Sequence, residues 1–197
     1  MKKWISILLA MLLALGMTAC GNSTGDDTSG SASQESETVS IESAVALLTT
    51  VWDTYGEDEK FPAIGGDMSE DNLTDGAPGK FDTADTAALD TTLALPTSAA
   101  EEIDDAASLV HMMNANTFTC GAFHVTDAAN VAGVVTEIQD NVLARQWICG
   151  FPDKLIIVQV GDYVVSFFGS TEIVDTFRDK LAAAYPAAQT ACEVEIA

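Results

Sequence analysis

Two histidines, His111 and His124, and four cysteines, Cys20, Cys120, Cys149 and Cys192, are the residues of this chain best suited to nucleophilic or proton-transfer chemistry. Any histidine-based mechanism must be assembled from those two rings. The sequence has no G-x-S-x-G elbow, no H-E-x-x-H helix and no Gly-rich phosphate loop. A Cys149 nucleophile with His124 as base and an aspartate as orienter is conceivable. That reading predicts a small extracytoplasmic cysteine enzyme acting on peptide or wall material. Against it, Cys149 stands between Trp147 and Phe151, and a thiol in apolar company stays protonated or forms a disulfide. No residue is therefore assigned a catalytic role, and the balance leans away from an enzyme.

Metal chemistry is as sparsely provided. Asp67, Ser69, Asp71 and Asp75 alternate loosely like a calcium loop, but Asn72 stands where the turn glycine belongs and Pro78 where the closing glutamate belongs. The residual reading is a calcium-ordered structural module within an acidic segment, 57–90. No C-x-x-C pair offers a zinc site, and no cofactor is expected.

The start of the chain fixes how these groups are presented. Met1-Lys2-Lys3 followed by the apolar run Trp4 to Gly16 reads as a secretory leader, too short to be a comfortable membrane span. Gly16-Met17-Thr18-Ala19-Cys20-Gly21 resembles the bacterial lipobox, with Met17 in place of the usual leucine. The expectation is a signal peptide over 1–19, lipidation of Cys20, and a protein held at the outer face of the bacterial cell membrane by its N-terminal lipid. Residues 20–39, rich in Gly, Ser, Thr and acids, form a flexible acidic tether whose reach is roughly 25 Å. Residues 40–197 remain for one globular domain.

Charge narrows the partners. The chain has 30 acidic against 8 basic residues, and Lys2 and Lys3 leave with the leader. Nucleic acid is excluded, because phosphate recognition needs clustered Lys and Arg.

Positioning elements follow from periodicity. Ser40 can cap a helix carrying Ile41, Val45, Leu48, Trp52 and Tyr55 on one face, ending near Gly56. The stretch 57–90, with Gly65-Gly66 and Pro78-Gly79, reads as a long irregular loop pinned by Phe61, Ile64, Leu73 and Phe81. Ser98 to Glu101 has a capping-box pattern and predicts a second helix with Ile103, Ala107, Val110 and Met113 inward, ending at Asn114 to Asn116. Phe118 to Val125 alternates as a strand, and a third helix starts near Asp127 with Val131, Val134, Val135, Ile138 and Val142 on its core face.

The stretch QWICGFPDKLIIVQVGDYVVSFFG, 146–169, organises the rest: an apolar corner, then strands Leu155 to Val160 and Tyr163 to Phe168 across a Gly161-Asp162 turn. Such continuously apolar strands belong in the middle of a covered sheet. A fourth helix runs from Ser170 to Pro186, and Glu193 to Ile196 closes the chain as an edge strand. The expected class is α+β, a small antiparallel or mixed sheet with helices on one face. From Phe118 on it has the ferredoxin-like βαββαβ order, with two extra N-terminal helices beside it. The first two of those strands should run parallel. That places Cys120 and Cys149 at one end of the sheet, a possible disulfide, and Cys192 at the start of the last strand at the other end. All three thiols reduced is the competing state.

The segments SLVHMMNANTFTCGAFHV and QWICGFPDKLIIVQVGDYVVSFFG and the Tyr185-Pro186 helix end resemble a group of short bacterial lipoproteins, mostly from Gram-positive anaerobes, defined as a domain of unknown function. The resemblance spans about Ser108 to Pro186. It implies lipobox, acidic tether and single domain, and it carries no active site. The function expected is therefore a lipid-anchored extracytoplasmic domain that binds an envelope protein or wall component without catalysis. Its contact surface is either the acidic loop or the corner at Trp147 and Phe151.

Overall fold

The structure, a computed structural model, describes residues 40–148 and 150–196. The expected signal peptide, the tether with Cys20, and Cys149 lie outside the described residues. In chain order the elements are α1 (Ala44–Trp52), β1 (Ala63–Gly65), β2 (Thr74–Asp75), β3 (Gly79–Lys80), α2 (Thr86–Leu93), α3 (Thr97–Ala100), β4 (Ile103–His111), β5 (Phe118–Val125), α4 (Val131–Ala144), β6 (Lys154–Val160), β7 (Tyr163–Gly169), α5 (Thr171–Ala184) and β8 (Gln189–Glu195).

The β6–β7 hairpin lies inside one sheet, as its unbroken apolar runs require. Val160 pairs with Tyr163 across the two-residue turn, where Gly161 takes φ +61, a region that favours glycine. All of β7 is buried, and all of β6 except Gln159. The strand order is β2-β1-β4-β5-β7-β6-β8, with every pairing antiparallel and β3 alongside β4 next to β1. Strands β5 and β6 run parallel to each other because each is antiparallel to β7 between them.

Alternation divides the core in two. Cys120, Ala122, Ile156, Val158, Val165 and Phe167 face α1 and α5, while Phe123, Leu155, Ile157, Val164 and Phe168 face α2, α3 and α4. Each fully buried Val, Leu, Ile or Phe among them contributes about 1.5–3 kcal/mol. The chain is thus α+β, but its helices cover both faces of the sheet rather than one. A one-sided sheet would have left half of each apolar run in water.

Three other expectations are corrected. Ser43, not Ser40, caps α1: its Oγ accepts from Ala46 N at 3.1 Å, and Asp105 Oδ2 accepts from Ala44 N at 2.6 Å. The second helix stops after one turn at Ala100, and Ile103–His111 is a strand. That strand is buried on both faces between β5 on one side and β1 and β3 on the other, and such a run has no alternation to separate it from a helix. Taking β5's free side, β4 displaces the last strand to β6, so the ferredoxin-like placement of β8 beside β5 does not occur.

The stretch 57–90 is not an irregular loop: it holds β1, β2, β3 and most of α2. Two glycines, Gly65 and Gly79, let its backbone cross itself. A Cβ on Gly65 would lie 2.1 Å from Gly79 N, and one on Gly79 would lie 2.6 Å from Gly65 C. Buried Ser108 of β4 fastens the crossing, accepting from Gly66 N at 2.8 Å and donating to Gly66 O at 3.0 Å.

Candidate functional site

One end of the sheet gathers the turn between β4 and β5, the corner before β6 and the start of α5. Asn114-Ala115-Asn116 makes that turn, with Asn114 Oδ1 accepting from Asn116 N and Asn114 O from Thr117 N. The Asn116 amide, so placed, donates to Ile148 O at 3.1 Å and Gly150 O at 3.0 Å. Beyond the corner, Asp153 N donates to Gly169 O, and Asp153 Oδ2 accepts from Thr171 N at 3.2 Å, joining the corner to the first turn of α5.

The expected contact pair, Trp147 and Phe151, divides between two roles. Trp147 is partly buried against Phe168, ring centroids 5.2 Å apart, with the Arg145 guanidinium over its ring at 5.6 Å. Arg145 is itself held by the carbonyls of Asp90 and Thr91 at the end of α2. The Trp147 Nε1 is buried and has no hydrogen-bond partner among the described residues. Phe151, by contrast, is 69% exposed and Ile148 80%. Met112 and Met113, in the same end's β4–β5 turn, are exposed too. Ile148, Met112, Met113 and Asn116 are the residues that sequence reading missed: Met113 was expected on a helix core face, and only the Asn-Ala-Asn turn signal pointed here.

The titratable candidates are spread apart. His124 does have an aspartate orienter, its Nδ1 lying 2.5 Å from Asp104 Oδ1, and its ring lies 4.9 Å from that of Tyr163. Burial first, then the Asp105 and Asp104 charges, raise the Tyr163 phenol above its usual range. But His124 stands eight residues along from Asn116, about 27 Å at ~3.4 Å per residue, while Ile148 and Gly150 are tied to Asn116. His124 and its aspartate thus stand at the other end of β5 from Ile148 and Gly150, while Cys149, the nucleophile of the enzyme reading, lies outside the described residues. His111, at the Asn116 end, stacks on Phe61 at 5.6 Å, and its Nδ1 accepts from Met113 N.

Cys120 carries a free thiol wholly enclosed in the core beneath α1 and α5, and burial raises its pKa well above the usual range. The Cys149 end of the expected disulfide lies outside the described residues. Cys192 is a partly exposed free thiol in the middle of edge strand β8, opposite Ile157, rather than at its start.

The calcium-like run uses its first carboxylate, Asp67, for structure. Partial burial opposes ionisation of Asp67, yet donors from Ser69 N and Oγ, Asn72 Nδ2 and Asp82 N hold its pKa down at about 2. Both oxygens are thereby occupied. Among the described residues no three His, Cys, Asp or Glu side chains are arranged to hold a metal ion, so the calcium-loop reading finds no ligand set there.

No protein-family model matches this chain, and neither the curated proteins nor the solved structures searched include a significant match.

Proposed function

We propose that this is a lipid-anchored extracytoplasmic domain, held at the outer face of the bacterial membrane through Cys20, that binds an envelope protein or wall component without catalysis. The resemblance to short bacterial lipoproteins supports that placement. Contact is made at the Asn116 end of the sheet, with Ile148 and Phe151 as apolar anchors.

The observation that carries this reading is the pairing of exposure with order at that corner. Ile148 and Phe151 are mostly in solvent, on backbone whose carbonyls are tied to Asn116 and whose neighbouring indole is seated on Phe168. Exposed apolar side chains on fixed backbone lose little entropy on binding, which is the property of an interface anchor. Crosslinking in intact cells, followed by capture through a C-terminal tag, tests it. An Ile148→Ser/Phe151→Ser chain should lose the captured component that the wild type retains, while keeping its thermal transition. Equal capture by both chains would remove the corner from the reading.

A further inference from the structure

A shallow cleft opens at the same end of the molecule, between the α1–β1 connection and the first turns of α5. It is lined by Tyr55, Glu59, Phe61, Glu172, Ile173 and Thr176. The corner adjoins it, because Asp153 Oδ2 holds the N–H of Thr171, the residue before Glu172. We propose that this cleft seats a cationic side chain, a lysine or arginine of the bound partner; this rests on the binding reading above and names the chemistry of the partner.

The lining allows little else. It presents two aromatic rings, one aliphatic side chain, one threonine and two carboxylates, of which Glu59 is already paired with Lys180 at its rim. An anionic group entering it meets Glu59 and Glu172. A neutral apolar group leaves Glu172 without a counterion, since only Glu59 is paired, with Lys180. An ammonium or guanidinium meets the unpaired Glu172 while its apolar stem lies against the aromatic and aliphatic lining.

The protein already uses this chemistry on one side of the cleft. The Lys180 ammonium lies 4.9 Å from the Tyr55 ring centroid while bonded to Glu59 Oε2 at 2.7 Å. The Lys180 bond, first among the causes, lowers the Glu59 pKa. Across the cleft, exposed Glu172 has no ion-pair partner among the described residues. Tyr55 itself is only 6% exposed, and its hydroxyl has no hydrogen-bond partner among the described residues. One half of a cation seat is thus filled internally and the other half is open.

Titration of the isotope-labelled full-length chain in detergent micelles with Nα-acetyl-lysinamide, followed by NMR, tests the proposal. The Ile173 and Thr176 amide signals should move with lysinamide and stay still with acetyl-norleucinamide, which keeps an apolar chain but carries no ammonium. Glu172→Gln should weaken lysinamide binding at least about fivefold. Thr176→Lys, which places a built-in ammonium one turn beyond Glu172, should abolish it. Both variants, one at exposed Glu172 and one at half-buried Thr176, should unfold within a few degrees of the wild type.

Equal binding of norleucinamide, or unchanged affinity in Glu172→Gln, overturns the cation seat. Loss of capture in the corner variant with no lysinamide response leaves the corner reading standing and removes this one. A Glu172-dependent response with unaltered capture does the reverse.

Discussion

Replacing Trp147 separates two roles that sequence alone assigns to one surface. If Trp147 were only a contact residue, Trp147→Ala would leave the fold's stability intact. Its position predicts otherwise. Truncating a fully buried Trp costs about 3–5 kcal/mol, and partial burial reduces that to about 2–3. The figure includes the Phe168 ring contact, typically about 0.5–1.5 kcal/mol. Set against it is relief of the unpartnered Nε1, worth about 1 kcal/mol. The net expectation is a loss of about 1–2 kcal/mol, or about 2–8 °C in Tm for a domain of this size. Trp147→Phe keeps most of the ring contact and removes the orphaned N–H, so it should fall within about 1 kcal/mol of the wild type. Ile148→Ser/Phe151→Ser, in solvent, should cost at most about 0.5 kcal/mol. Urea unfolding of the four chains gives the comparison directly. Trp147→Ala no less stable than the Ile148/Phe151 variant would refute the seating of the indole on Phe168. A Phe substitution as costly as Ala would mean that Nε1 has a partner after all.

Ser108→Ala should destabilise by about 2–4 kcal/mol, since it strands both Gly66 N and Gly66 O in a buried site; hydrogen exchange should accelerate across residues 63–81, and unchanged exchange there would refute the crossing. The pH dependence of Asp67 follows from its direction: with a folded pKa of about 2 against an ordinary value near ~3.9, its stabilisation is complete above about pH 4 and lost as pH falls toward 2. Asp67→Asn should flatten acid unfolding in that window, and a curve identical to the wild type's would show that the donors around Asp67 do not favour its charge. Under native conditions a maleimide should modify Cys192 slowly and Cys120 only on unfolding, read by peptide mass mapping; rapid labelling of Cys120 would contradict its enclosure.

The parts of this fold legible in sequence are those whose environment has one face. Helices α4 and α5, strand β5 and the Gly161-Asp162 hairpin announce themselves by periodicity or turn chemistry. Strand β4 does not, because neighbours on both edges and helices on both faces leave IDDAASLVH with no polar stripe. The segment 57–90 was opaque for a different reason: its order comes from contacts with Ser108 and between Gly65 and Gly79, which local propensity cannot express. The corner was legible as an apolar cluster but not as a divided one, since which of Trp147 and Phe151 turns inward depends on Phe168, a partner contributed by β7. The cleft was invisible, because its lining comes from two segments that meet only when α5 packs against α1.

That pattern bears on how the exposed residues should be weighed. Single apolar side chains in solvent are ordinary on any protein, and Met68 or Leu143 needs no further account. Ile148 and Phe151 differ in their supports. Two carbonyl bonds from Asn116, an indole fixed on Phe168 and an Arg145 tied back to α2 all hold a segment whose own tips bury almost nothing. Ordering a surface segment costs about 1–2 kcal/mol per residue in backbone entropy, and burial of Ile148 or Phe151 does not offset it within this chain. The apolar burial that offsets it in the free protein comes from Trp147 and Pro152, so a variant that unseats Trp147 should loosen the corner, with protease access rising at residues 146–152 and capture falling with it. Should Trp147→Ala instead leave both cleavage and capture unchanged, the order of the corner and its proposed contact would have separate causes.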